Sequence, residues 1–163
     1  MDYLVCALVM GVGATLLVDL WAIARRRAFG ISPPNYGLVG RWFAHLARGR
    51  FRHESIAASS AVHGERVIGW VAHYVVGVLF AALLLGVWGL AWVRHPTIGP
   101  ALLVGIGTVA APLLVMQPGM GAGVAASRTP RPAAARVQSV VTHTIFGLGL
   151  YASGWVAQFF HLL

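Results

Sequence analysis

Four long apolar runs constrain most strongly what this chain can fold into. The hydrocarbon core of a bilayer is about 30 Å thick, and a helix needs about 20 residues to cross it. The four runs cover residues 3–24, 67–93, 97–117 and 137–160. Charged residues make up only 10% of the 163 residues, against about 25% in a typical soluble domain. The sequence predicts an all-α membrane protein, in which one domain of residues 1–163 forms a bundle of four transmembrane helices.

The positive charges predict how this bundle is oriented. All twelve basic residues are arginines, and eleven of them lie in the two predicted loops, residues 25–66 and 118–136. Cytoplasmic loops of membrane proteins carry an excess of arginine and lysine. Both loops are therefore expected in the cytoplasm, with the N-terminus and the C-terminus on the outer side of the membrane.

The same charge also predicts the partners of the chain. A net charge of +8 on two loops beside a bilayer favours binding to anionic lipid headgroups. No separate basic domain with spaced aromatic residues is visible, so a nucleic-acid partner is not predicted.

A short amphipathic helix is predicted in the first loop. Between Leu38 and Phe51, apolar residues recur at helical spacing opposite Arg41, Arg48 and Arg52. Such a helix is expected to lie in the cytoplasmic interface, with its arginines toward the headgroups and its aromatic residues buried.

A repeated pattern places two histidines inside predicted membrane helices. The pattern reads Arg66, Gly69, His73 and Gly77 in the second run, and Arg136, Ser139, His143 and Gly147 in the fourth. The last three positions are four residues apart, so they share one helix face. The repeat predicts that helices one and two form one unit and helices three and four a second, related by a pseudo-two-fold axis along the membrane normal.

Polar residues in all four helices are predicted to form one layer in the cytoplasmic half of the bundle. Asp19 follows Thr15 on one face of helix one, and Gln117 closes helix three. A carboxylate inside the membrane costs about 3 kcal/mol on insertion scales unless it faces the bundle and finds a partner. Asp19, His73, His143 and Gln117 are therefore expected at a similar level.

Three hypotheses account for this layer, and the first is structural. Asp19 would pair with the histidines, or with a long Arg66 or Arg136 side chain, and fix the register of the helices.

In the second hypothesis the layer binds a cofactor. His73 and His143 would bind a transition metal, with Asp19 as a third ligand or as the acceptor that orients an imidazole. Met116 and Met120 would favour copper. Alternatively, the two histidines would bind a non-covalent haem, with Arg66 and Arg136 near its propionates.

In the third hypothesis the layer moves a proton or a small solute. Aspartate and histidine at one level can relay protons, and helix three ends in an irregular stretch rich in proline and glycine, residues 116–123. Four helices are few for a monomeric carrier, so this function predicts a homodimer. An enzyme is not predicted, because the sequence has no GxSxG, HExxH or Walker motif.

Several stretches resemble one known family along nearly the whole chain. They are Gly11 to Thr15, Asp19 to Trp21, Gly40 to Trp42, Gly64-Glu65, Gly69-Trp70, His73-Tyr74, Gln117 to Gly121, Ala125 to Ser127, Thr129-Pro130, His143 and Phe146-Gly147. This set is similar to the DUF2938 family of uncharacterised bacterial integral membrane proteins. The Gln117-Pro-Gly-Met-Gly121 stretch is the most specific part. The resemblance implies a four-helix inner-membrane protein and carries no particular activity.

Overall fold

The structure is a computed structural model that describes residues 2–160. Its helices are α1 (Asp2–Phe29), α2 (Tyr36–Leu46), α3 (Glu65–Trp88), α4 (Ala91–Arg94), α5 (Ile98–Met120) and α6 (Pro132–Phe159), and Val124–Ala126 forms a short 3-10 helix. Among these residues there is no strand. Helices α1, α3, α5 and α6 are long and apolar enough to cross a membrane. The predicted all-α class with four candidate spans is confirmed.

Helix α1 extends five residues beyond its predicted end at residue 24. It ends at Phe29, where Gly30 takes a φ of +66° and donates its N–H to the carbonyl of Arg26 at 3.0 Å. A glycine with positive φ is the commonest helix stop, since it has no Cβ to clash. Arg26 and Arg27 therefore lie in the last helical turn, where positive charge is favourable beside the free carbonyls.

Helix α5 is regular only in its first part. It is α-helical over Ile98–Gly107, widens to a π-helix over Ala111–Met116 and closes with Gln117–Met120. The N–H of Gln117 bonds the carbonyl of Pro112, five residues back. Proline cannot donate to the helical ladder, and such local widenings occur often at functional sites.

The chain folds into two compact units. The first unit contains residues 1–33, 74–108 and 141–163, and the second contains residues 34–73 and 109–140. Helices α3, α5 and α6 supply residues to both. The single domain over residues 1–163 stays a prediction, and Met1 and residues 161–163 lie outside the described part.

The core of the first unit forms where glycines let helix backbones meet. A Cβ added to Gly11 of α1 would lie 2.9 Å from the carbonyl carbon of Gly77 in α3, and one added to Gly105 of α5 would lie 2.9 Å from the carbonyl oxygen of His143 in α6. Small residues promote this close packing in membranes, where apolar burial alone gives little drive. Large fully buried side chains fill the remaining space: Met10, Leu84, Leu85 and Leu150.

The outward faces of the long helices are apolar. Exposed residues recur every four positions along α3, as Val67, Val71, Val75, Leu79, Leu83 and Val87, and α1 exposes Leu4, Leu8, Leu16 and Leu20. A soluble monomer rarely exposes a continuous apolar surface of this size. These stripes are what a lipid-facing surface requires.

The second unit is organised by α2, which crosses the first turns of α3. A Cβ on Gly40 would lie 2.9 Å from the carbonyl carbon of Glu65, and one on Gly69 would lie 2.6 Å from the carbonyl carbon of Tyr36. The expected amphipathic helix thus exists but ends at Leu46, and its place in the membrane interface stays a prediction.

Candidate functional site in the membrane helices

Asp19 accepts a hydrogen bond from a tyrosine in the first unit. The hydroxyl of Tyr74 on α3 donates to Oδ2 of Asp19 on α1 at 2.9 Å, and both side chains are half-buried. Gly11 and Gly77 bring these two helices together one or two turns away. The contact gives the intramembrane carboxylate a neutral donor, which lowers the cost of placing it there.

His143 is held from one side by α5. Its Nδ1 lies 3.1 Å from the carbonyl oxygen of Gly105 and 3.1 Å from Oγ1 of Thr108, and Thr108 itself donates to the Gly105 carbonyl at 2.8 Å. A carbonyl oxygen can only accept, so Nδ1 carries the proton and Nε2 keeps the lone pair. The histidine therefore connects α6 to α5 beside the close approach of Gly105 and Gly147.

His73 belongs to an aromatic cluster in the second unit. Its Nε2 lies 3.0 Å from the hydroxyl of Tyr36, which begins α2, and the two rings are 4.5 Å apart. Trp70 lies one turn earlier on α3, with its ring 4.4 Å from that of Tyr36. The cluster requires α2, because Tyr36 reaches His73 only where α2 crosses α3 at Gly40 and Gly69.

The predicted polar residues thus have different hydroxyl partners. Tyr74 bonds Asp19, Tyr36 bonds His73 and Thr108 bonds His143. Among residues 2–160, no group of three or more histidine, cysteine, aspartate or glutamate side chains is arranged to hold a metal ion. A metal site with Asp19 as a third ligand has no support, whereas two-histidine ligation stays a prediction.

Two predicted supporting residues take part in polar contacts of the helices. Thr15 is buried and donates its hydroxyl to the carbonyl of Gly11 at 2.7 Å. Gln117 directs its Nε2 toward Oγ of Ser139 at 3.5 Å, while its Oε1 is buried without a hydrogen-bond partner among the described residues. Gln117 and Ser139 therefore meet within the second unit, and the polar layer itself stays a prediction.

The predicted arginines and methionines lie at the ends of helices. Arg66 is exposed near the start of α3, and Arg136 is exposed on α6 with its Nε bonded to the carbonyl of Ala125 at 2.8 Å. Ala125 has a φ of 48°, a left-handed conformation that is costly for alanine. Met116 ends the π-helix and Met120 ends α5, where its carbonyl accepts the N–H of Ile56.

Arg41 departs from its predicted place among the headgroups. Its Nε and Nη2 donate to the two carboxylate oxygens of Glu65 at 2.8 and 2.9 Å, and Nη1 lies within 3.3 Å of three loop carbonyls, those of Ile56, Ala57 and Ser59. Hydrogen bonding to Glu65 raises the pKa of the Arg41 guanidinium above its usual value. The residue joins α2, α3 and the intervening loop, because all three guanidinium nitrogens find protein acceptors.

Gly119 and Gly121, at the end of α5, pack closely against α2 and against the loop between α2 and α3. A Cβ on Gly119 would lie 2.6 Å from Nε1 of Trp42, and one on Gly121, whose φ is +95°, would meet the carbonyl group of Glu54. The carbonyls of Gly119 and Met120 accept the N–H groups of His53 and Ile56, each at 3.0 Å. The backbone carbonyls at the irregular end of α5 therefore have protein partners, which they need because lipid cannot hydrogen-bond them.

The hydroxyl partners were missed by sequence analysis. Tyr74 follows His73 directly, and Thr108 follows Gly105 by one turn, so both carried a signal as polar residues inside apolar runs. Tyr36 carried none, because it lies outside the spans. Two more histidines, His45 and His53, were also not singled out, although both are buried.

These features define an all-helical protein with four candidate membrane spans and polar side chains bonded between its helices. Residues 8–157 match the family model described as "Protein of unknown function (DUF2938)". The chain therefore belongs to the DUF2938 family, as the resemblance of its motifs predicted. Comparison with curated proteins and with solved structures gives no match.

Proposed function

We propose that this protein resides in a bacterial inner membrane, with its arginine-rich segments in the cytoplasm and bound to anionic headgroups. The apolar stripes on α1 and α3 support insertion in a bilayer. Arg48, Arg50, Arg128 and Arg131 are all exposed, which leaves their charges accessible to lipid phosphates. The uneven distribution of arginine between the two sides supports the orientation.

We further propose that the protein carries protons across that membrane, as a homodimer. The observation that carries this proposal is the pairing of three ionisable side chains of the spanning helices with hydroxyl groups: Asp19 with Tyr74, His73 with Tyr36 and His143 with Thr108. A hydroxyl both donates and accepts, so it can pass a proton to or from such a group. Ionisable groups inside membrane helices are rare, and they mark ion pathways and proton relays. Four spans per chain are few for a pathway, which favours two copies.

A structural role is the second candidate, and one observation favours it for His143. The Gly105 carbonyl accepts both from Thr108 and from His143, beside the close approach of α5 and α6 at Gly105 and Gly147. A bond of this kind fixes the register of two helices and contributes about 0.6 kcal/mol on average in membranes.

Proton flux into vesicles separates the two candidates. Purified protein is reconstituted in liposomes that contain a pH-sensitive dye, and a potassium diffusion potential drives protons inward. The proposal predicts flux above that of empty vesicles, with losses for Asp19→Asn and Tyr74→Phe. Tyr151→Phe is the matched control, since Tyr151 also lies on a spanning helix, packs against the core and Trp155, and makes no hydroxyl hydrogen bond within residues 2–160. Flux equal to that of empty vesicles, or unchanged in both variants, would contradict proton transport.

A further inference from the structure

Two buried histidines of the second unit form a pair that the proposed function does not use. His45 lies in the last turn of α2 and is 8% exposed, and His53 lies in the following loop and is 6% exposed. Their ring centroids are 5.0 Å apart, and the ring planes are nearly perpendicular, at 87°. Histidine is only moderately common in protein interiors, so two in contact need an explanation.

The hydrogen bonds of the pair determine which ring nitrogens are protonated. Nε2 of His45 lies 3.1 Å from the carbonyl oxygen of Ser60, and Nδ1 of His53 lies 3.3 Å from the carbonyl oxygen of Gly119. Each of these nitrogens must donate, because a carbonyl oxygen only accepts. In the neutral rings, the lone pairs are therefore on Nδ1 of His45 and Nε2 of His53.

The lone-pair nitrogen of His53 is buried with no hydrogen-bond partner among the residues that the structure describes. A buried polar atom of this kind is costly unless something binds it. The backbone around it is fixed, because the N–H of His53 also donates to the Gly119 carbonyl at 3.0 Å. The fold thus holds an imidazole lone pair inside the protein without a protein donor to satisfy it.

We propose that His45 and His53 bind one transition-metal ion of the class that prefers imidazole, such as Cu²⁺ or Zn²⁺, through Nδ1 of His45 and Nε2 of His53. Histidines that bind metals almost always donate their other ring N–H to a carbonyl, a carboxylate or water, and both histidines do so here. Two imidazoles that share an ion at about 2.1 Å per bond have ring centroids about 5 Å apart for an angle near 100° at the metal. The observed spacing agrees with that geometry. Water or an added ligand would complete the coordination.

Two substitutions test the proposal, because each keeps the N–H that bonds a backbone carbonyl and removes the imidazole nitrogen that would bind the metal. In His53→Asn, the amide nitrogen takes the place of Nδ1 and can still donate to Gly119. In His45→Gln, the amide nitrogen takes the place of Nε2 and can still donate to Ser60. His63→Ala is the control for chance binding by an exposed histidine of the same unit, and His73→Ala separates this site from binding at the membrane histidines.

The measurement is a Cu²⁺ titration of metal-free, tag-free protein in detergent, followed by electron paramagnetic resonance. The expected result is one bound Cu²⁺ whose spectrum shows coupling to two imidazole nitrogens. Each of His53→Asn and His45→Gln should weaken binding by more than about tenfold, while His63→Ala and His73→Ala leave it unchanged. Zn²⁺ should compete with Cu²⁺, and Mg²⁺ should not.

Two results would overturn the proposal. One is equal Cu²⁺ binding by the wild type and by both variants. His45 and His53 would then only pack against each other as perpendicular rings. The other is loss of binding in His73→Ala alone, which would place the metal at the membrane histidines. If both variants misfold, the wild-type spectrum still decides, because no coupling to two imidazole nitrogens contradicts the site.

Discussion

Arg41 and Glu65 form a two-pronged ion pair in which Nε and Nη2 of the guanidinium each donate to a different carboxylate oxygen, at 2.8 and 2.9 Å. Glu65 also accepts the N–H of Val62 at 3.0 Å, so it closes the turn that starts α3. Only a planar guanidinium can bind both oxygens and still reach loop carbonyls with its third nitrogen. The charge of Arg41 therefore serves the fold of the second unit, and its removal has consequences unlike those of an exposed arginine.

Replacing Arg41 by lysine should destabilise the protein although the charge is kept. Lysine offers one ammonium group, so the paired bonds to Glu65 and the bonds to the carbonyls of Ala57 and Ser59 cannot all form. We expect Arg41→Lys to lower the unfolding midpoint in detergent by several degrees. Arg48→Lys, at an exposed position, should leave the midpoint unchanged. An equal effect of both substitutions would mean that the geometry of the pair is unimportant.

The close approach of α5 and α6 gives a second prediction. A Cβ on Gly105 would lie 2.6 Å from the backbone nitrogen of Gly147, whereas one on Gly107 meets nothing within 4 Å. Gly105→Val should therefore force the helices apart and cost about 1–3 kcal/mol of unfolding free energy. Gly107→Ala should be neutral or slightly stabilising, since alanine favours the helix by up to about 1 kcal/mol. Reversible unfolding in mixed micelles measures both, and equal effects would argue against the close contact.

Apolar length and helical periodicity predict some features of this fold and not others. The four spans follow from apolar length alone, because a bilayer imposes that length on any helix that crosses it. The end of α1 does not follow from apolar length, because it depends on the positive φ of Gly30. Asp19 and His143 were found because ionisable groups stand out in an apolar run. Their partners Tyr74 and Thr108 were not, since pairing depends on how the helices rotate against each other.

The role of Arg41 shows a second limit of prediction from the sequence. The helical spacing of apolar residues in α2 placed Arg41 on the polar face, and lipid headgroups were its expected neighbours. Its neighbour is Glu65, which lies 24 residues away at the start of α3. No helical period links these positions, because the backbone contacts at Gly40 and Gly69 set the crossing of the two helices.

The cofactor hypothesis for His73 and His143 predicts an optical or elemental signal. Protein purified in detergent should show a haem absorption band, or retain a metal in elemental analysis, and the His73→Ala, His143→Ala double variant should lose it. A clear, metal-free spectrum of both proteins would exclude ligation by this pair. The His45→Gln variant is a useful control, because it leaves the membrane histidines intact.

The orientation gives a further prediction that a single cysteine can test. Cys6 is the only cysteine and is buried, so Cys6→Ser provides a background without thiols. On that background, a membrane-impermeant maleimide added to intact cells with a permeable outer membrane should label Arg94→Cys. Arg48→Cys and Arg131→Cys should react only after the inner membrane is opened, because arginine-rich loops stay in the cytoplasm. The reverse pattern would invert the topology.

Substitutions of Gly119 and Trp42 should have coupled effects on the free energy of unfolding. The indole of Trp42 donates Nε1 to the carbonyl of Phe51 at 2.9 Å, and a Cβ on Gly119 would lie 2.9 Å from its Cε2. Gly119→Ala should therefore displace the indole and cost about 1–3 kcal/mol of unfolding free energy. Trp42→Phe removes the crowded nitrogen, so adding Gly119→Ala to it should cost less than in the wild type. A double-mutant cycle measures this difference, and additive effects would mean that the glycine is needed for another reason. Coupling would explain why a glycine stands where α5 meets the loop.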